Sequence, residues 1–337
     1  MNIAVDVMGG DNAPGAIIEG AASAAREFNN IKLILIGQQD LITEELNKYN
    51  PICKKMEVVN ADQVIGMHEA PSRALRKKKK SSIYIGSKMV KDKQADAFIS
   101  AGNTGAVMAS GLLNIGRLPG IKRPSIATIF PSESGKTLVL DSGANVDSKP
   151  ENLLQFSLMG QLYAQRLLGK KNPRIGLLSI GEEKKKGNQL TSSTYELMEN
   201  EARITNFIGN VEGRDIFNGT CDIIICDGFI GNIVLKTTEG VASFLLDLFK
   251  DAFTKNILTK IGTFLLKSQL EDIKKTVDYR HYGGAPLLGV KGVVIISHGN
   301  SDAIAIHNAI SVAQQTIEKE VVKDIEVIIN REGELND

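Results

Sequence analysis

The sequence predicts an α/β protein: a Rossmann-like α/β/α sandwich on a mostly parallel sheet, with an amphipathic helical hairpin projecting from it. Three observations carry that prediction. Short apolar runs without polar alternation recur along the chain, as in strands covered on both faces. Helical periods separate them, which is the order that makes βαβ units. Residues 239–278 then break the alternation with a long helical period and no strand signal.

The apolar runs place strands at Asn2–Val7, Ile31–Ile36, Met56–Val59, Ala97–Ser100, Ile126–Phe130, Thr137–Leu140, Arg174–Ser179, Phe207–Val211, Asp222–Cys226 and Gly292–Ile296. Pro14 and Pro150 fall where first helical turns begin, a position that suits a fixed φ and a missing N–H. The 337 residues suit one α/β/α domain over 1–337, in one or two lobes, with 239–278 as a hairpin within it. From Asp324 onward a short IEVII run and a charged end give no functional reading.

Composition excludes several function classes. Hydrophobic content of 42% and charged content of 23% are those of an ordinary globular protein. A net charge of +1 makes no basic field, and 5% aromatics without Trp make no stacking platform, so nucleic acid is excluded as a partner. Cys53, Cys221 and Cys226 have no paired spacing, which fits a reducing cytoplasm. The chain opens directly on the strand NIAVDV, so no signal peptide is expected. The longest uncharged run, residues 97–116, is too rich in Gly, Asn, Ser and Thr to cross a membrane. A soluble protein is expected, at most lying on a membrane surface.

In such sheets ligands bind beyond the carboxyl ends of the strands. Nearly every strand here ends in Gly with Asn, Asp or Ser. Examples are Gly9-Gly10-Asp11-Asn12, Asp141-Ser142-Gly143-Ala144-Asn145, Asp227-Gly228 and Ser297-His298-Gly299-Asn300-Ser301. That concentration implies one wide polar crevice. The turn Gly102-Asn103-Thr104-Gly105 follows the run AFIS and precedes a helical pattern at Val107, Met108, Leu112 and Ile115. Strand, glycine turn, helix aims free N–H groups and a helix dipole at an anion, although a plain βα turn reads the same way. ADAFISAGNTG (95–105) and CDIIICDGFIG (221–231) align without gaps, setting Asp96 on Asp222, Gly102 on Gly228 and Gly105 on Gly231. Either two equivalent turns face one ligand, or two βα turns are alike by chance.

In the 239–278 stretch, Phe244, Leu245, Leu248, Phe249 and Phe253 lie on one side. Ile257, Leu258, Ile261, Phe264 and Leu265 repeat the pattern after a break near Asn256, with Lys250, Lys255, Lys260 and Lys267 interspersed. This fits a helix pair in a membrane interface, or one packed on the core or a second subunit.

Other motifs fail. Ser134-Gly135-Lys136-Thr137 resembles the end of a P-loop, but Phe130 stands where that motif needs Gly. There is no G-x-S-x-G elbow and no G-x-G-x-x-G. His68, His281, His298 and His307 form no metal-binding pair, so no metal is expected. Asp227 beside Cys226 disfavours a thiolate there. The run Arg76–Lys80 is a solvated face or a dock for an acidic partner.

IAVDVMGGDNAP, SAGNTGAVMASG, RPSIA, DSGAN, IGEEKKKGN, CDGFIGNIVLK, YGGAPLLGVKG and HGNS stand in this order. Together they resemble the bacterial phosphate acyltransferase family, which makes acyl phosphate from acyl-acyl carrier protein for phospholipid synthesis. The likeness runs from residue 2 to about residue 315. It implies a Rossmann-like fold related to phosphotransacetylases and isopropylmalate dehydrogenase-like enzymes. It also implies a homodimer, no cofactor, and a cytoplasmic protein attached peripherally to the inner face of the cell membrane through 239–278. The implied partners are inorganic phosphate, acyl-acyl carrier protein and a membrane-bound glycerol-3-phosphate acyltransferase.

The implied reaction is attack of phosphate on a thioester carbonyl. It asks the enzyme to align two reactants and to hold an oxyanion, which backbone N–H groups can do. On this reading Gly102, Asn103, Thr104 and Gly105 bind phosphate, and Gly228, Gly231 and Asn232 form a second turn on the same crevice. Lys186 supplies positive charge, unless it is a plain surface lysine, and Asp141 and Asn145 orient the groups around the reactants. His68 or His298 protonates the leaving thiolate, each against the alternative of a packed or surface histidine. The hairpin is the candidate wall for the acyl chain. Two other readings stay open: a coenzyme A-dependent phosphate acetyl- or butyryltransferase, and a non-enzymatic lipid-binding membrane scaffold. The density of polar strand exits argues against the second.

Overall fold

The computed structural model describes residues 1–49, 56–266, 268–270 and 283–330. Cys53, His281, Lys267 and the part of the hairpin beyond residue 270 lie outside the described residues. The strands, in chain order, are β1 Asn2–Asp6, β2 Lys32–Gly37, β3 Met56–Asn60, β4 Ala97–Ser100 and β5 Ser125–Ile126. After them come β6 Thr128–Ser132, β7 Gly135–Leu140, β8 Ile175–Leu178, β9 Phe207–Val211 and β10 Ile223–Ile225. The chain then returns with β11 Ala285–Leu288 and β12 Val293–Ile296.

They form two sheets, ordered β3-β2-β1-β4-β12-β11-β5 and β6-β7-β10-β8-β9. Pairing is parallel in both except at β11, β5 and β6. Helices α1 Gly15–Glu27 and α2 Gln39–Leu46 lie on one face of the first sheet. On the other lie α3 Pro71–Lys77, α4 Ser82–Lys91 and α5 Thr104–Ser110, which runs on into one π turn, Gly111–Ile115. The second sheet carries α6 Pro150–Leu167, α7 Gln189–Glu199 and the short α8 Asp215–Asn218. α9 Gly228–Thr254 and α10 Ile257–Leu265 form the hairpin. Finally α11 Ala303–Glu318 packs on α1, and α12 Val321–Asn330 packs on α6.

Burial on both faces explains the unbroken apolar strands. In the first sheet Ile3, Val5, Leu33, Leu35, Ile99 and Ile295 meet α1 and α11, while Ala4, Ile34, Phe98 and Val294 meet α4 and α5. Each strand thus sends alternate residues into two separate cores. The second sheet does the same. Leu138, Leu140, Ile175, Ile223 and Ile225 pack on Phe156 and Tyr163 of α6, whereas Val139 and Ile224 pack toward Val234 and Leu235 of α9. Fully burying a side chain of this kind is worth about 1.5–3 kcal/mol.

Two features depart from the predicted strands. The run Ile126–Phe130 is not one strand: it breaks at the fully buried Ala127. Ile126 pairs with Leu287 in the first sheet, and Thr128 pairs with Val139 in the second. The break is the crossing between the lobes. β11 was not predicted, because a four-residue apolar run holding a proline cannot be told from a loop by periodicity. The IEVII tail belongs to α12, whose Val321, Ile325 and Ile329 are buried at helical spacing.

The hairpin projects from the second lobe. Thr263 Oγ1 on α10 donates to the Phe253 carbonyl at 3.2 Å, which ties its two arms together. Phe244, Leu245, Leu248, Phe249, Leu258 and Leu265 are exposed along it. Among the described residues α9 is the one helix long and apolar enough, by length and composition, to cross a membrane.

Candidate active site

Both lobes build their strand exits on a buried aspartate. At the end of β1, Asp6 accepts the Ser100 hydroxyl at 2.7 Å and the Met8 N–H at 3.1 Å. Ser100 Oγ in turn accepts the Gly102 N–H at 3.0 Å. The β1 and β4 turns therefore close on one carboxylate, so tightly that a Cβ on Gly9 would stand 2.6 Å from Gly102 N. Burial pushes the Asp6 carboxyl above its usual range, against the hydrogen bonds it accepts. The β1 turn is also tied to the exit of β12: Asp11 N donates to Gly299 O at 2.7 Å, and Asn12 Nδ2 donates to Asn300 O at 3.0 Å.

At the end of β7, Asp141 is the counterpart. It accepts five N–H donors, from the backbones of Ile126, Gly143, Ala144 and Asn145 and from Asn145 Nδ2. Its burial raises the carboxyl pKa, and those donors oppose the rise. Asn145 Nδ2 also donates to Pro124 O at 2.7 Å, and Asn145 O accepts the Gly228 N–H at 2.8 Å. A Cβ on Gly231 would overlap the Asp141 carbonyl oxygen. Asp141, Asn145, Gly228 and Gly231 thus form one tight joint between the lobe crossing and the start of α9.

Asn103 works in the same way. Its Oδ1 caps α5 by accepting Ala106 N at 3.0 Å. Its Nδ2 lies 3.1, 2.9 and 3.1 Å from the carbonyls of Gly66, Met67 and Glu69. That holds the loop carrying the exposed His68 against α5, while Gly105 packs on Pro71 of α3. Glu69 pairs with Lys78 at 2.5 Å, and this ammonium lowers its pKa.

The exits of the two lobes enclose a cavity of about 170 Å³. Thr104 enters it from the start of α5, and Ser142 from the end of β7. Ser297 and His298 enter from the end of β12, and Asn232, Lys236 and Glu239 from one face of α9. Lys236 Nζ stands 2.8 Å from Glu239 Oε2, and His298 Nε2 stands 3.8 Å from the same oxygen, across the lobe boundary.

Of the residues singled out from sequence, Thr104, Asn232 and His298 meet in this cavity. Asn103, Asp141, Asn145, Gly228 and Gly231 shape its walls from behind. Lys186 lies on the exposed loop after β8. Its neighbours Gly187 and Asn188 border a second, apolar cavity of about 280 Å³ with Leu178, Leu190 and Ile230. Sequence reasoning passed over Lys236, Glu239, Ser142 and Ser297. A signal for two of them was present, since Asn232, Lys236 and Glu239 fall at one-turn intervals on one helix face.

The likeness between 95–105 and 221–231 has a structural counterpart at the strand starts. Asp96 Oδ2 accepts the Asn2 N–H at 2.8 Å, and Asp222 Oδ2 accepts the Arg174 N–H at 2.9 Å. Each aspartate pins the start of a neighbouring strand. The helix caps do not align: Asn103 caps α5, but Asp227, which caps α9 through the Ile230 N–H, aligns with Ala101. Cys226 is buried, with a thiol pKa pushed well up by burial, and its Sγ donates to the Asp141 carbonyl. Among the described residues no group of three or more His, Cys, Asp or Glu is placed to hold a metal ion.

The α/β/α fold is similar to that of solved phosphotransacetylases. It superposes on a phosphotransacetylase from Streptococcus pyogenes with a TM-score of 0.64, at 18% identity over 94% of each chain. With a branched-chain phosphotransacylase from Enterococcus faecalis the TM-score is 0.59, at 13% identity over 94% of this chain and 99% of the other. Sequence narrows the class further. The family model described as "Fatty acid synthesis protein" matches residues 1–324. The phosphate acyltransferase of Halothermothrix orenii is 60% identical over 334 residues, covering 99% of this chain and 100% of the relative. That of Geotalea uraniireducens is 51% identical, covering 95% and 92%. The chain belongs to the fatty acid synthesis protein family, among its phosphate acyltransferases, and is an enzyme of the transferase class.

Proposed function

We propose that the enzyme moves a fatty acyl group from acyl-acyl carrier protein to inorganic phosphate, and that the acyl phosphate feeds phospholipid synthesis. Acyl transfer to phosphate follows from the family. The observation that carries the reading to particular residues is the interlobe cavity, where Thr104 faces Lys236 and Asn232. Phosphate sits between the start of α5 and the Lys236 ammonium, with the backbone of Gly102 to Gly105 behind it. An oxygen of hydrogen phosphate bonds to the thioester carbonyl carbon, and the C–S bond breaks with its electron pair on sulfur. The proton lost by phosphate reaches the thiol through solvent.

The exposed apolar faces of α9 and α10 support a peripheral site on the inner surface of the cell membrane, or a second copy of the chain covering them in a homodimer. Lys236, Glu239, Asp247, Lys250 and Asp251 along α9 favour a surface position over a span. There the product would pass to a membrane-bound glycerol-3-phosphate acyltransferase.

The deciding measurement is thiol release from acyl-acyl carrier protein with and without phosphate, beside the matching coenzyme A thioester. Phosphate-dependent release that is faster from the carrier protein is expected. A preference for coenzyme A would shift the reading to a phosphate acetyl- or butyryltransferase. Acyl binding without release would make the chain a lipid-binding scaffold.

A further inference from the structure

We infer that the cavity at the exit of β8 holds the far end of the fatty acyl chain, which reaches it from the interlobe cavity across an apolar ridge on α9. This rests on the acyl-transfer reading above. The lining includes the buried Leu153 and Cys226 and the exposed Ile180 and Ile230, so the cavity runs from the core of the second lobe to its surface. Its polar side chains are turned onto the wall itself. Ser179 Oγ donates to Lys186 O at 3.2 Å, and Asn188 Oδ1 accepts the Thr191 N–H at 3.0 Å. Thr191 Oγ1 accepts the Asn188 N–H at 2.9 Å, and Asp227 Oδ1 accepts the Ile230 N–H at 3.0 Å. What these bonds leave to a ligand is mostly hydrocarbon surface, from Leu153, Leu178, Ile180, Leu190 and Ile230. An apolar cavity of about 150 Å³ takes a benzene ring. At about 280 Å³ this one takes a longer stretch of hydrocarbon.

The start of α9 separates the two cavities and also joins them. Successive residues of a helix stand about 100° apart around its axis. Asn232, Lys236 and Glu239 turn to the interlobe cavity, Gly231 and Val234 turn to the core, and Ile230 turns to the second cavity. Phe229 and Ile233 therefore fall on the outer edge, between Lys236 and Ile230. They are 54% and 47% exposed. They lie one turn apart with Ile230 beside them, which makes one contiguous apolar patch. Val146, next to the Asn145 carbonyl that accepts the Gly228 N–H, extends it and is also exposed.

A thioester whose carbonyl meets phosphate in the interlobe cavity lays its first methylenes over this ridge and its last ones in the second cavity. Each methylene buried there raises affinity by about fourfold. A short acyl group ends before the cavity, so the pair of sites reads chain length.

Chain-length selectivity and a fluorescence contact test it in the full-length enzyme. Leu190→Trp, which fills the cavity, should lower the ratio of kcat/KM for the hexadecanoyl thioester to that for the butyryl thioester by about tenfold or more, the worth of about two methylenes. Phe229→Gln combined with Ile233→Gln, at exposed positions where packing is not at stake, should lower the same ratio by a similar factor. A ratio within about twofold of wild type in both variants would overturn the inference, as would an equal loss for both chain lengths. So would a glutamine double variant that dissociates a dimer and keeps the wild-type ratio, which would give the ridge to a second copy. The chain contains no Trp, so Ile180→Trp at the cavity mouth and Phe249→Trp on the hairpin each carry one reporter. Dibrominated stearate, whose bromines quench indole on contact, should quench Ile180→Trp and spare Phe249→Trp, and plain stearate should quench neither. The reverse pattern would move the acyl chain to the hairpin and overturn the inference. Quenching needs no turnover: if Ile180→Trp is quenched but the wild-type enzyme releases no thiol with phosphate, the apolar site stands and the fault lies with the acyl-transfer reading.

Discussion

At the scale of single residues, Asn103 turns its whole side chain toward the protein. One face caps α5 and the other holds three carbonyls of the 66–69 loop. Removing the cap in Asn103→Ala costs about 1 kcal/mol, and stranding the carbonyls adds a further ~1–2 kcal/mol. Asn103→Asp keeps the cap oxygen but sets a carboxylate against those carbonyls, so it should destabilise at least as much. Urea midpoints at constant m would measure both. A raised KM for phosphate in Asn103→Ala with unchanged stability would instead make the amide a direct phosphate ligand. From sequence, an Asn in a glycine turn reads equally as ligand or cap. What separated the two roles was the 66–69 loop, more than thirty residues away in the chain.

At the scale of elements, α9 does two jobs along its length. Its first turns are locked to Asp141 and Asn145 and present Asn232, Lys236 and Glu239 to the cavity, while its far turns carry the exposed apolar face. The period of that face was legible because 3.6-residue spacing survives in any surroundings. What the face packs against was not, because apolar surface is non-directional. Leu258 and Leu265 are exposed at its tip. Replacing both with Asp removes roughly 3–6 kcal/mol of transferable apolar burial. Co-sedimentation with anionic phospholipid vesicles should then fall by about 100-fold or more, with phosphate-dependent thiol release in solution retained. A dimer that dissociates in the double variant, with vesicle binding intact, would assign the face to a second subunit.

At the scale of the whole molecule, the pairing of two lobes decides which charges meet. Lys186 and Lys236 both follow strands of the second lobe, and the sequence pointed to Lys186 alone as the positive charge for phosphate. Only α9 turns its lysine toward the first lobe; the loop after β8 leads to the apolar cavity of its own lobe. Lys236→Ala should therefore lower kcat/KM for phosphate by about tenfold or more, and Lys186→Ala by less than about threefold, read from initial rates across a phosphate series. The opposite order would place phosphate beside the β8 exit.

The sequence by itself determined the α/β alternation, nine of the ten predicted strands as single strands, the hairpin and the polar character of the strand exits. These depend on local patterns: runs buried on both faces, helical periods, and glycines where backbones turn. Only the tertiary structure decided that Ile126–Phe130 is the crossing between two sheets and that Asp141 is a joint. It also showed that Ser297 and His298 line one cavity with α9 across the lobe boundary. The reason is physical. A turn residue's partners are set by elements far away in the chain, and no local pattern records them.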